Sequence, residues 1–244
     1  SNPDTFKIMK YCRDNGVIPN VTVADISDST ADALTDLCGA VAVSRYSNKD
    51  ICYDSIKKLT DRGMSQVNMH IMISEETRGD VLTTLHDLME PRDPRLKDLN
   101  AVVFLSLKKK GRGTGFTQLT EEHFNHIVNV CLEHNISFGF DSCSALKFLK
   151  SVENHDDYET FKTVSEPCES GRFSAYISVD GYYSPCSFLE GIKNFKIGNW
   201  TDGINVAECD DFLKDVWYSD KSEYSRRRGL KCLSEGVSCQ YYDI

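Results

Sequence analysis

The chain has 244 residues, 40% of them hydrophobic and 27% charged, a balance that excludes wholesale disorder and allows one sizeable core with a smaller appendage. A formal charge of -9 and a pI near 5.2 argue against a nucleic-acid or anionic-membrane surface, because both partners want a positive field. No apolar run has the length of a membrane span, and the polar start SNPDTF has no secretory features, so the expected setting is cytoplasmic.

In chain order, amphipathic and β-branched segments alternate. Helices are predicted over 4–15, 30–37, 53–62, 75–88 and 121–135, with Gly16 and Gly63 as closing glycines. Strands are predicted over 21–26 (VTVADI), 40–44 (AVAVS), 67–73 (VNMHIMI), 101–107 (AVVFLSL) and 136–141 (ISFGFD), each short and bounded by breakers, as buried parallel strands are. Such alternation implies right-handed crossovers and a parallel sheet. Five strand–helix units are visible, whereas a closed barrel needs eight. The sheet is therefore either open and doubly wound or part of a barrel.

The first domain is placed at 1–150 and a second, cysteine-bearing one at 151–244. In the second, 173–179 and 182–184 flank Asp180-Gly181, a two-residue hairpin signal, and a helix is predicted over 210–218. That small core needs a staple.

Ten cysteines stand in the chain. Cys12, Cys38, Cys52 and Cys131 fall in the apolar patterns of helices or their ends, where free cysteine behaves as a small hydrophobe. Cys168 and Cys186 bracket the hairpin, so antiparallel pairing brings them together. Cys143 follows the last strand, at the edge where α/β folds assemble their sites. Cys232 and Cys239 lie in the tail. Soft thiolates suit zinc or an iron–sulfur cluster, and the lack of a CxxC pair weakens zinc.

Other candidates carry less. His70 reads as a hydrogen-bonded core histidine. His123 and His126 share a helix face but have no evident third ligand. Lys108-Lys109-Lys110-Gly111-Arg112-Gly113 either cradles an anion or, in the preferred reading, forms a solvated loop; Arg226-Arg227-Arg228 reads as solvated too.

Cys168, twelve residues, Gly181, four residues, Cys186 resembles the opening Cys-x(9-15)-Gly-x(4)-Cys element of the SPASM and Twitch extensions of radical S-adenosylmethionine (SAM) enzymes. The segments IPNVTV, CGAVAVS, VNMHIMIS, NAVVFLSLKKKGRG and GFDSC, in that order, are similar to the later part of that family's partial (β/α) barrel. The resemblance spans nearly the whole chain. It implies an α/β fold made of a partial radical-SAM-type barrel followed by a small hairpin and helix domain that holds one auxiliary [4Fe-4S] cluster. Its implied ligands are Cys168, Cys186, Cys239 (in a Cys-Gln-Tyr ending similar to Cys-Pro-x-Tyr) and Cys143, with Cys232 in reserve. It further implies SAM as a second cofactor, with Ser44 and Asn68 at positions that often face it. A peptide or protein substrate and, in an active enzyme, an electron donor such as a flavodoxin or ferredoxin complete the expectation.

Two departures qualify it. The family's Cys-x(3)-Cys-x(2)-Cys loop is absent from the sequence, and Thr22-Val23-Ala24-Asp25 stands where Thr-Thr-Asn-Gly is common. The alternative expectation is a catalytically degenerate iron–sulfur or zinc-stapled scaffold protein.

Overall fold

The structure, a computed structural model, describes residues 2–89, 92–166, 168–190, 204–220, 222–223 and 226. Two compact units divide the chain: residues 1–107 with 116–141, and residues 108–115 with 142–244.

The first unit is α/β. Strands β1 (Asn20–Val23), β2 (Ala40–Ser44), β3 (Val67–Ile73), β4 (Ala101–Ser106) and β5 (Phe138–Phe140) form one parallel sheet in the order β1-β2-β3-β4-β5. Helices α1 (Thr5–Asp14), α2 (Asp28–Leu37), α3 (Lys49–Thr60), α4 (Arg78–Leu88) and α5 (Glu121–Glu133) alternate with them. A doubly wound sheet reverses its order at a switch point. This order runs without reversal, so right-handed crossovers lay the helices on one face.

Local sequence explains the boundaries. Ser27 starts α2 by accepting from the Thr30 amide at 3.2 Å, Asn48 starts α3 through the Asp50 amide, and Thr120 starts α5 through the His123 amide. Gly16 and Gly63, both at positive φ, follow α1 and α3 as expected.

Alternation along the strands gives the sheet two unlike faces. Val67, Met69, Ile71 and Ile73 of β3 are buried, and in register with them lie Val41, Val43, Val102 and Phe104. This is the helix-covered face: Phe124 of α5 stacks on Phe140 at 5.0 Å, and Phe140 meets Phe104 at 5.3 Å. Ile56 and Leu59 of α3 are fully buried, each worth roughly 1.5–3 kcal/mol over exposure. Cys38, Cys52 and Cys131 are buried as small hydrophobes; the Cys52 thiol donates to the Val43 carbonyl at 3.8 Å, and burial pushes Cys52 and Cys131 up to about 12. The opposite face, with Thr22, Ala42, Ser44, Asn68, His70 and Met72, is less buried on β3, whose even-numbered residues are half-buried.

The second unit holds α6 (Ala145–Ser151), α7 (Tyr158–Val164) and an antiparallel sheet of β6 (Tyr176–Ile177), β7 (Tyr182–Ser184) and β8 (Ile204–Asn205) in the order β6-β7-β8. Phe148 of α6 meets Phe161 of α7 edge-on at 5.6 Å. The helix expected over 210–218 is a π-helical turn, Phe212–Trp217, whose start is capped by Asp211 accepting from the Leu213 and Lys214 amides. Tyr183, fully buried, packs edge-on against Phe212. Among the described residues no helix is long and apolar enough to cross a membrane.

Candidate functional site: a cluster of thiols in the second unit

The hairpin turns through three residues, Val179-Asp180-Gly181, where the sequence suggested two. Ser178 donates its N–H to the Tyr182 carbonyl at 2.9 Å and accepts at its own carbonyl from Gly181 N–H at 3.0 Å. Gly181 takes φ +84°, and a Cβ there would stand 3.0 Å from Asn205 Oδ1. Such a left-handed residue closing a three-residue loop is a recurrent hairpin solution, and here the close approach of β8 adds a second reason for glycine. The conformational freedom of that residue lets Val206 N–H reach the Gly181 carbonyl at 2.8 Å.

The base of the hairpin brings cysteines together. Gly171 N–H donates to the Pro185 carbonyl at 3.1 Å, tying the segment just after Cys168 to the residue before Cys186. Arg172 returns its guanidinium to the Cys168 carbonyl, with Nε at 3.2 Å. Cys143 sits in the 3-10 turn Ser142–Ser144 that leads into α6, and its thiol donates a hydrogen bond to the Cys168 sulfur. Cys186 caps the 3-10 turn Ser187–Leu189, its Sγ accepting from Phe188 N–H at 3.4 Å. All three thiols are half-buried.

Their electrostatics differ. The hydrogen bond from Cys143 is the chief reason Cys168 falls from 9.0 to about 6; burial opposes it, and the Ser170 N–H and the Arg172 charge assist. Cys186 moves up, first through burial; the negative charge of Cys168 adds to the rise, and the Phe188 N–H and the Lys108 charge counter it. Cys209, whose thiol donates to the Asn205 carbonyl at 3.4 Å, is raised by desolvation and by Asp215, Glu208 and Asp210, a setting unfavourable to a thiolate ligand.

The lysine run after β4 departs from the solvated loop that the charge run suggested. Lys108 is only 7% exposed, with its ammonium 5.1 Å from the centre of the Phe188 ring. Lys110 donates to the carbonyls of Ser187 at 3.2 Å and Glu190 at 2.6 Å. Lys109 alone of the three is exposed. The only sequence signal for this was adjacency to a strand end, shared with any ordinary loop.

The remaining expected residues lie in the first unit or outside the described residues. Ser44 ends β2 in register with His70, and Asn68 lies opposite Ala42, so Ser44 and Asn68 share the less buried sheet face as diagonal neighbours. Asn68 Oδ1 already accepts from Asn100 Nδ2 at 2.8 Å. Burial lowers His70, with Asp141 opposing. His123 Nδ1 pairs with Glu75 at 2.8 Å, while Glu75 also accepts from the Thr120 amide at 2.8 Å. Cys232 and Cys239 lie outside the described residues.

Among the described residues no three His, Cys, Asp or Glu side chains form a group suited to a metal ion. What the second unit does hold is three half-buried thiols with N–H groups directed at two of the sulfurs, those of Cys168 and Cys186. Comparison with protein-family models and with curated proteins found no match.

Proposed function

We propose that this chain is the part of a radical SAM iron–sulfur protein that carries one auxiliary [4Fe-4S] cluster, held by Cys143, Cys168 and Cys186 together with Cys239. The observation that carries the reading is the meeting of Cys143 and Cys168, thiol to thiol, at the base of the hairpin that ends in Cys186. In a cluster each thiolate takes a different iron, so its ligands need not crowd as closely as those of one zinc ion.

The first unit supports the same reading through its strand order, which advances without reversal as in a (β/α) barrel. Ser44 and Asn68, on the face away from the helices, are the residues assigned to SAM. A bound auxiliary cluster would supply an electron acceptor or a ligation point for substrate; the substrate class assigned is a peptide or protein side chain. The chain's own residues hold the thiols in place: Gly171 and Pro185 close the hairpin base, and Arg172 anchors Cys168.

Anaerobic reconstitution of the full chain with iron and sulfide tests the reading. Close to four irons per chain is the expected content of one such cluster, with a broad visible absorption, lost in Cys168→Ala and Cys186→Ala but kept in Cys12→Ala. Iron that binds equally in all of these variants, or not at all, defeats it. Zinc uptake without iron would favour the degenerate scaffold, which Ala24-Asp25 at the end of the first strand also favours.

A further inference from the structure

We propose that residues 108–115, the segment between β4 and α5, form a strap that opens and closes on the turn bearing Cys186, with Lys110 as its latch. This device is independent of what the thiols hold.

The strap has a closed base. Gln118 donates its side-chain N–H to the Leu107 carbonyl at 3.2 Å, and Glu76 accepts from Thr117 N–H at 2.9 Å, so the two ends meet and one of them is pinned. A surface loop with joined ends and its own internal bonds can swing about that base as one piece. The tip supplies such bonds: Gly113 N–H donates to the Lys110 carbonyl at 3.0 Å, and the Thr114 hydroxyl to the Gly111 carbonyl at 3.0 Å. Gly111 turns the chain there at φ +55°, a backbone conformation that disfavours any L side chain.

Side chains join the strap to the turn. Lys110 donates to the carbonyls of Ser187 at 3.2 Å and Glu190 at 2.6 Å, at the start and just past the end of the turn Ser187–Leu189. Lys108 lays its ammonium 5.1 Å from the centre of the Phe188 ring. Among the described residues no backbone–backbone hydrogen bond joins the two segments. A segment fastened in this way opens locally, at less cost than unfolding the unit around it. Cys186 is what the closed strap governs. Its Sγ accepts from Phe188 N–H at 3.4 Å and its carbonyl from Leu189 N–H at 3.0 Å, so the turn that Lys110 fixes is the turn that holds this half-buried sulfur. Opening frees those two amides and admits a reagent to the thiol.

Hydrogen exchange of the metal-free full chain tests the strap, with iodoacetamide labelling of the cysteines in parallel. Lys110→Met should raise exchange at Phe188 and Leu189 roughly tenfold, the loss expected for two ordinary hydrogen bonds, and should speed labelling of Cys186 while Cys168 keeps its wild-type rate. Gly111→Ala should act in the same direction without touching the turn: a Cβ there meets nothing within 4 Å, so the change works through φ alone. It also stands in should Lys110→Met not fold. Lys110→Arg should keep most of the protection, and Lys109→Met, which alters an exposed side chain, should change nothing. Wild-type exchange at both amides in Lys110→Met and Gly111→Ala overturns the strap, as does a rise that extends equally to the Val206 amide, the mark of the whole unit opening. Faster exchange with an unchanged Cys186 rate overturns the control of Cys186 alone.

Discussion

The Cys143 thiol donates its proton to a hydrogen bond with the Cys168 sulfur, joining the turn that precedes α6 to the segment that enters the β6–β7 hairpin. A thiol donor stabilises a thiolate acceptor, so this pair loses its first proton well below the ordinary thiol range. In metal-free protein at pH 7, Cys168 is expected to be alkylated by iodoacetamide before Cys52 and Cys131, whose burial holds them protonated. Cys143→Ala should slow that reaction at pH 7, because the thiolate fraction falls as the Cys168 midpoint rises past that pH. Peptide mapping by mass spectrometry across pH 5 to 9 reads both effects. Equal rates in wild type and Cys143→Ala would contradict the hydrogen bond.

The same pair sets a pH dependence of stability. Cys168 has a folded midpoint of about 6 against 9.0 for the ordinary thiol, so between those values the unfolded chain binds more protons than the folded one. Stability of the metal-free protein should therefore rise with pH through that window and lose this contribution as pH falls through 6. Cys168→Ser should flatten the slope in urea melts of the second unit.

Gly181 is expected to tolerate no side chain. Its positive φ disfavours any L residue by about 1–2 kcal/mol, and Asn205 Oδ1 stands 3.0 Å from the place a Cβ would take. Gly181→Ala should lower the denaturation midpoint and separate β8 from the turn, read as faster hydrogen exchange at Val206, whose amide bonds to the Gly181 carbonyl. Unchanged exchange would show that the turn adapts.

The first unit was legible in the sequence because its information is local. Short β-branched runs bounded by breakers mark β2, β3 and β4 nearly residue for residue, and a cap such as Ser27 starts its helix from a neighbour three positions away. The edge strands β1 and β5 are shorter than their apolar runs. Among the described residues each pairs on one side only, and β5 finds register with β4 over Val102–Phe104 alone. The choice between a doubly wound and a singly wound sheet was not legible, since strand order depends on packing between units of identical pattern. The thiol site was legible only in its cysteines. Lys110 meets carbonyls 77 and 80 positions away, and a backbone carbonyl leaves no mark in the sequence. The three-residue hairpin turn was missed because Val179 extends the apolar run into the loop, where it is almost wholly exposed.

Acid should weaken the first unit at one identifiable place. Glu76 is held down to about 2, chiefly by the Thr117 N–H, and Glu75 is lowered first by its bond to His123 and then by the Thr120 N–H. Both are carboxylates with depressed folded midpoints, so their contribution is complete above about 4.5 and is lost as pH falls from there toward 2. Glu75→Gln and Glu76→Gln should each reduce stability near neutral pH and flatten the acid limb seen by circular dichroism. An acid limb identical to wild type would place the acid sensitivity elsewhere.

The burial of Arg45 is costly and poorly compensated. Its side chain is 2% exposed; Nη2 reaches Asp80 Oδ1 at a long 3.3 Å, and Nε and Nη1 find no partner among the described residues. Replacing such a group by an apolar chain of similar length is often neutral or stabilising, whereas removing only its partner strands the charge. Arg45→Met should leave the thermal midpoint unchanged or raise it, and Asp80→Ala should cost on the order of 1–3 kcal/mol. The double variant should recover most of the Asp80→Ala loss, because the stranded guanidinium is then gone. If Arg45→Met is the more damaging of the two single changes, the guanidinium has a stabilising role that its one visible ion pair does not explain.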